Sequence, residues 1–247
     1  MRILIVGRGA RENALRKLLL AAGHTLPQHG PWDQAVLSLP RSSIDEETAD
    51  QLPRGHSVIC GFTDEAFDTL ARKRGWKLHR VLEDPLYVKE NALLTAEGAI
   101  HSAGDYFPKA LRDANCLVIG CGRIGMELIR MLRSLHIRTV AAARRKESRE
   151  AAGGPAVSIE ELPSVLPEAD VIFNTVPAMI LNEELLHSVK QDCLLLELAS
   201  KPYGIDLQAA EKLELSIHVE SGLPGRYCPV SAAKTLLDYM EREANHE

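Results

Sequence analysis

The run Cys116-Leu117-Val118-Ile119-Gly120-Cys121-Gly122-Arg123-Ile124-Gly125 constrains this chain more than any other feature. A GxGxxG spacing alone is a weak signal. Here it follows an apolar strand and opens an amphipathic helix, the context that the chemistry of dinucleotide binding needs. Gly120 permits a tight turn, Gly122 lets a pyrophosphate approach the backbone, and Gly125 lets the helix sit close to the strand. The uncommitted N–H groups and positive end of that helix then hold the phosphates. The run predicts a strand–turn–helix in which Gly120, Gly122, Arg123, Ile124 and Gly125 meet a dinucleotide.

The rest of the chain repeats the same grammar: four or five apolar residues, a turn, an amphipathic helix. Strands are expected at Arg2–Val6, Val36–Leu39, Ser57–Cys60 and Lys77–Leu82. Further strands are expected at Asn115–Ile119, Thr139–Ala143, Val171–Asn174, Leu194–Glu197 and Ser216–Val219. Helices are expected at Ala10–Ala22, at Asp64–Arg74 with Asp64 near its N-cap, and at Gly122–His136. Shorter helices fall near Glu160–Leu166, Asn182–Val189 and Asp206–Leu213. Strand–helix alternation with right-handed crossovers implies parallel sheets covered on both faces. The expected class is α/β, with two doubly wound parallel-sheet domains, the second a Rossmann fold.

The 247 residues suit one large domain or two compact ones, and the strand–helix order favours two. Residues 1–94 read as a flavodoxin-like, substrate-side domain. It is abbreviated, because Thr25–Gln34 is too short and proline-rich for a usual strand–helix unit. Residues 95–228 read as the dinucleotide domain. A helix from Thr95 to Ser102 connects the halves, and a last helix within 229–247 folds back to complete the first domain.

Composition removes several classes of function. The net charge is −5 and no basic run occurs, so nucleic acid is not the expected partner. Aromatics are 4% of residues, too few for a stacked aromatic platform. No apolar stretch approaches the roughly 20 residues of a membrane span. The start Ile3-Leu4-Ile5-Val6 is too short for a signal peptide, and a glycine turn stops it. Five scattered cysteines without a CxxC suit a reducing compartment, so the expectation is a cytoplasmic protein. No zinc pattern links the nine histidines to the cysteines, and no metal is expected.

The cofactor is read from the second strand of the dinucleotide domain. An NAD enzyme carries an acid there, about 20 residues after the glycines, to accept the ribose hydroxyl. This chain has Ala141-Ala142-Ala143-Arg144-Arg145-Lys146. Arg144 and Arg145 can pair with a 2′-phosphate, each charge-assisted bond being worth roughly 1.5–3 kcal/mol, so NADP (NADPH) is expected. The strand Val171–Asn174 ends in Asn174-Thr175-Val176-Pro177, beside the nicotinamide half. Asn174 and Thr175 can bond the ribose, and Pro177 fixes the turn.

Three further turns would lie at strand ends where open α/β sheets bind ligands. Gly7-Arg8-Gly9-Ala10-Arg11 lacks the third glycine and reads as a substrate-side loop carrying Arg8 and Arg11. Leu198-Ala199-Ser200-Lys201-Pro202-Tyr203-Gly204 and Ser221-Gly222-Leu223-Pro224-Gly225-Arg226 follow later strands. Their backbone N–H groups can receive a carboxylate that Lys201 or Arg226 neutralises.

An ordered set of these residues resembles the A subunit of dipicolinate synthase. It comprises Thr95-Ala96-Glu97-Gly98, Gly120 to Met126, Ala142-Ala143-Arg144, Asn174 to Asn182, Leu198 to Asp206 and Gly222-Leu223-Pro224-Gly225. The resemblance is specific from about Asn91 to Leu237 and weak before that, apart from Gly7, Ala10 and Arg11. Lys201 stands where the family's turn resembles Ser-Arg-Pro, and Leu94 where a proline often precedes the Thr-x-Glu-Gly run.

The resemblance implies an oxidoreductase that makes dipicolinate from dihydrodipicolinate with NADP. It implies a partner, the flavoprotein-like B subunit of dipicolinate synthase, and a role in spore formation; an oligomer is expected beside these. The two carboxylates of the small cyclic substrate need cations or backbone donors, for which Arg11, Lys201, Gly222, Leu223 and Gly225 are the candidates. A base must take the ring proton. Glu97 and His101 lie four apart on the connecting helix that Thr95 opens, on one face. His218 and Glu220 on the last strand are alternatives. Two other readings stand beside this one: a 2-hydroxyacid or shikimate-type dehydrogenase, and a non-catalytic protein that senses NADP for its partner. The first needs an Arg…Glu…His set that the Lys201-Pro202 turn and the sequence after it do not offer.

Overall fold

The computed structural model describes residues 1–40, 43–52 and 55–246. It divides into two units, residues 1–94 with 224–247, and residues 95–223.

The first unit is built from β1 (Ile3–Ile5), α1 (Ala10–Ala21), β2 (Gln34–Val36), α2 (Glu46–Gln51), β3 (Ser57–Cys60), α3 (Glu65–Arg74) and β4 (Lys77–Arg80). The long helix α4 (Pro85–Tyr106) carries the chain from the first unit into the second. The second unit continues with β5 (Asn115–Ile119), α5 (Arg123–Ser134), β6 (Arg138–Ala142), α6 (Lys146–Ala151), β7 (Ala156–Val157), α7 (Leu162–Val165) and β8 (Val171–Asn174). It ends with α8 (Glu183–Leu186), β9 (Leu194–Glu197), α9 (Leu207–Lys212) and β10 (Ser216–Val219). The chain then passes through α10 (Leu223–Tyr227) to α11 (Pro229–His246).

The first sheet is parallel in the order β1-β2-β3-β4. On the outer side of β1, Thr25 forms a single parallel bridge with Arg2. Counting that bridge as a strand gives the flavodoxin-like order 2-1-3-4-5, with its second strand reduced to one residue. The proline-rich stretch after it forms no helix. It seats Trp32, 1% exposed, whose indole N–H donates to the Pro27 carbonyl at 3.0 Å. On one face Ile3, Ile5 and Ile59 pack with Leu15 and Leu19 of α1 and with Ala233, Leu236 and Tyr239 of α11. The other face packs Leu37 and Val58 on Phe67 of α3. The last helix therefore completes the first core.

The second sheet is parallel in the order β10-β9-β8-β5-β6-β7, which in chain order is 6-5-4-1-2-3, the Rossmann arrangement. Its central strands are buried on both faces, which is why they read as unbroken apolar runs. Leu117, Ile119, Ile172 and Leu195 pack on Leu162, Leu186 and Ala209. The strand order reverses between β5 and β8, and a crevice at such a switch point is where this fold takes its ligand.

Two of the boundaries that differ from the sequence reading have a physical reason in the structure. The strand expected at Val36–Leu39 lies at Gln34–Val36, because Gln34, polar yet 8% exposed, starts it. The connecting helix does not begin at Thr95. The Asp84 carboxylate caps it, accepting the Tyr87 N–H at 2.5 Å, and Pro85 occupies its first turn. Thr95 therefore sits in mid-helix, 8% exposed.

Candidate active site

The glycine run folds into a compact turn between β5 and α5. Gly120 has φ +103°, a conformation that favours glycine, and a β-carbon there would stand 2.3 Å from the Thr175 hydroxyl. A β-carbon on Gly125 would stand 1.9 Å from the Gly120 carbonyl oxygen, so the first turn of α5 touches the strand end directly. Gly122, the N-cap, is exposed and has nothing within 4 Å of the position a β-carbon would take. No side chain caps the helix there. The first-turn N–H groups and this open space suit a pyrophosphate. Arg123 is exposed beside them and Ile124 is half-buried.

At the end of β6, Arg144 and Arg145 are both exposed. Arg149 on α6 donates to the carbonyls of Ala143 at 2.9 Å and Arg144 at 2.8 Å, which fixes the turn that carries the arginine pair. This side of the sheet holds several cations. The Glu160 carboxyl, hydrogen-bonded to its own backbone and to Ser158 and facing Arg149 and Arg144, lies below the usual range.

At the end of β8, Thr175 Oγ1 donates to the Ile119 carbonyl at 3.0 Å and so ties β8 to the glycine turn. Asn174 is fully buried. Its amide donates to both oxygens of Glu197, at 2.8 and 3.0 Å, and to the Val176 carbonyl at 3.0 Å. Glu197, at the end of β9, is 0% exposed and also accepts the N–H groups of Ala199, Gly204 and Ile205, each at 2.9 Å. Burial pushes its carboxyl pKa up, and these N–H groups and the Asn174 amide pull it part of the way back. Pro177 and Lys201 are exposed, and the Lys201 ammonium lies 5.9 Å from the Tyr203 ring centroid.

Glu97 and, four residues later, His101 are both exposed on α4, whereas Thr95 faces inward. A β-carbon on Gly98 would stand 2.9 Å from Leu223 Cβ, so this stretch of α4 touches the start of α10 closely. The second unit thus brings the Glu97-Gly98 stretch and the Gly222-Leu223 turn together, with Gly222 at φ +63° and Leu223 buried. His218 stacks on Tyr106 with ring centroids 3.6 Å apart, and Glu220 is buried.

In the first unit Arg11 is 7% exposed and pairs with Glu12 at 3.0 Å. It also donates to the Leu39 carbonyl at 2.6 Å. Gly225 lies beside it, the position of its β-carbon being 3.6 Å from Arg11 Cβ.

Residues 87–200 match the NAD binding domain of D-isomer specific 2-hydroxyacid dehydrogenases. The second unit is a nicotinamide-dinucleotide domain of the dehydrogenase type. Over 224 residues, 88% of this chain and 75% of the relative, the sequence is 27% identical to the A subunit of dipicolinate synthase of Bacillus subtilis (strain 168). The chain is similar to the A subunit of dipicolinate synthase. Solved structures that share its fold include two A subunits of dipicolinate synthase. The A subunit of dipicolinate synthase from Bacillus halodurans superposes with a TM-score of 0.84 at 24% identity, covering 98% of this chain and 96% of the other. Its counterpart in the dipicolinate synthase of Bacillus subtilis superposes with a TM-score of 0.82 at 22% identity, covering 100% and 96%.

Beside this similarity to dipicolinate synthase stand three side chains that sequence reasoning missed. Glu12 holds the guanidinium of Arg11, Arg149 holds the arginine turn, and Glu197 gathers two loops. Adjacency to Arg11 was a visible signal for Glu12. An acid ending the apolar run Leu194–Leu196 was one for Glu197, since a carboxylate does not enter a buried sheet without donors.

Proposed function

We propose that this chain is the NADP-dependent dehydrogenase subunit that oxidises dihydrodipicolinate to dipicolinate. The observation that carries this reading is the 27% identity to the A subunit of a dipicolinate synthase, extending over 88% of the chain. The open N-terminus of α5 supports a dinucleotide, and the exposed Arg144–Arg145 pair supports NADP in particular. When bound, the nicotinamide supplies the acceptor for one hydride from the dihydropyridine ring.

The residues then divide the work. Gly120, Gly122, Arg123, Ile124 and Gly125 hold the pyrophosphate, and Arg144 and Arg145 take the 2′-phosphate. Thr175 and Pro177 shape the nicotinamide side, with Asn174 behind them. Arg11, Lys201, Gly222, Leu223 and Gly225 receive the substrate carboxylates. Glu97 or His101 takes the ring proton, with Thr95 on the same helix. Aromatisation of the ring drives the reaction, so positioning is the main task of the protein.

The same reading brings a flavoprotein-like B subunit for a partner, an oligomeric assembly, a cytoplasmic setting and a place in spore formation. Among the described residues no helix is long and apolar enough to cross a membrane. The match of residues 87–200 favours one second reading, a 2-hydroxyacid dehydrogenase. Against it, Lys201-Pro202 follows Ala199-Ser200 where that chemistry needs an arginine.

The test is turnover. The purified chain, by itself and with a B-subunit protein, is mixed with NADP⁺ and dihydrodipicolinate. NADPH and dipicolinate are expected to form in equal amounts. Oxidation of a 2-hydroxy acid instead, with no dipicolinate formed, overturns the proposal.

A further inference from the structure

The four residues Ser200-Lys201-Pro202-Tyr203 form a short arch whose two ends are fastened to one group. Its near end is the Ala199 N–H, on Glu197 Oε1, and its far end is the N–H groups of Gly204 and Ile205, on Oε2. The arch itself is exposed over Ser200–Pro202, whereas Ala199, Gly204 and Ile205 are buried. The same carboxylate takes the Asn174 amide, so the end of β8 is locked to the arch as well. Gly204 completes the joint. A β-carbon there would stand 2.4 Å from the Asn174 amide nitrogen, and its carbonyl accepts the N–H groups of Ile180 at 2.8 Å and Leu181 at 2.9 Å.

We propose that Glu197 is a positioning residue for substrate binding: its ionised carboxylate pins both ends of the arch that presents Lys201. The proposal rests on the reading of that arch as a substrate-side loop. The hydrogen-bond partners of Glu197 are neutral donors. A carboxylate offers about four lone-pair positions and no proton, which matches the Asn174 amide and three backbone N–H groups. A protonated carboxyl, or a glutamine amide, would turn a proton toward one of those N–H groups and leave a buried donor unpaired. Burial raises the pKa of this carboxyl, so falling pH withdraws the pin sooner than it would protonate an exposed glutamate.

The experiment combines E197Q, E197D, K201A and the E197Q/K201A double variant. Amide hydrogen exchange is read at Ala199, Gly204 and Ile205, and affinity is read with dipicolinate. E197Q is expected to speed exchange at the three amides at least tenfold and to weaken dipicolinate binding by a similar factor. E197D recovers part of both. K201A weakens binding with exchange unchanged, and the double variant binds no worse than K201A alone, because Glu197 acts through the arch. In the wild type, protection at the three amides falls with decreasing pH while that at Leu117 and Ile172 holds, a measurement that stands even where E197Q does not fold. Wild-type exchange rates in E197Q, protection indifferent to pH, or losses that multiply in the double variant overturn the proposal. A wild type that binds no dipicolinate overturns the substrate reading and leaves the exchange data to judge the pin.

Discussion

Gly125 lies so close to Gly120 that a single β-carbon on it would come within 1.9 Å of the Gly120 carbonyl oxygen. Gly122, two residues after Gly120, has nothing within 4 Å of the same position and an ordinary φ of −80°. The two glycines therefore answer to different demands: the fold leaves no room for a side chain at Gly125 and ample room at Gly122, where the proposed dinucleotide would lie.

Gly125→Ala and Gly122→Ala separate those demands. Gly125→Ala overpacks the α5–β5 joint against backbone and is expected to cost at least about 1–3 kcal/mol of stability. Gly122→Ala is expected to leave the melting temperature within about 2 °C of wild type yet weaken dinucleotide binding at least tenfold. Thermal melts and cofactor titrations of both variants check this.

Arg11 and Glu12 form a nearly buried pair, 7% and 8% exposed. Removing one partner leaves the other uncompensated, which costs about 3–5 kcal/mol for a buried pair. Arg11→Ala is expected to destabilise by that order, and Arg11→Ala with Glu12→Ala to regain part of it. If Arg11 also receives a substrate carboxylate, the more stable double variant still fails to bind dipicolinate. Denaturant unfolding and dipicolinate titration read the two effects separately.

The second unit has an acid-sensitive fastening at the start of β8. Asp170, just before that strand, is partly buried, which works against its charge. The Lys190 ammonium at 2.6 Å and the Asn115 N–H at 2.8 Å outweigh that and hold its carboxyl below the usual range. A lowered folded pKa means stability that is fully present above the unfolded value of about 3.9 and lost as pH falls through the folded one. Lys190→Met is expected to destabilise by about 1 kcal/mol at pH 7, an amount tempered by solvent screening. The gap to wild type should close below pH about 4. Urea unfolding across pH 3–7 follows it.

Much of the second unit was legible because short apolar runs set between turns leave a clear trace. Asn115–Ile119, Val171–Asn174, Leu194–Glu197 and Ser216–Val219 are the observed β5, β8, β9 and β10, residue for residue. The first unit was harder to read. Gln34 opens β2 although it is polar, and Thr25 keeps only one bridge of a lost strand. The length of α4 was signalled by Asp84-Pro85, an N-cap followed by proline, but its apolar residues show little helical period, and only Thr95–Ser102 stood out. The glycine turn was readable because its geometry is local. The bonds of Asn174 were not, since its partner Glu197 is 23 positions away and only the sheet brings the two side by side.

The most direct measurement is the affinity of the purified chain for NADPH and NADH, followed by nicotinamide fluorescence, in the wild type and in Arg144→Ala with Arg145→Ala. One charge-assisted bond is worth about 1.5–3 kcal/mol, so the wild type is expected to prefer NADPH at least tenfold. The double variant is expected to bind the two alike, mainly through weaker NADPH binding. A preference for NADPH that survives in the double variant, or a wild type that favours NADH, contradicts the assignment of the 2′-phosphate to these arginines.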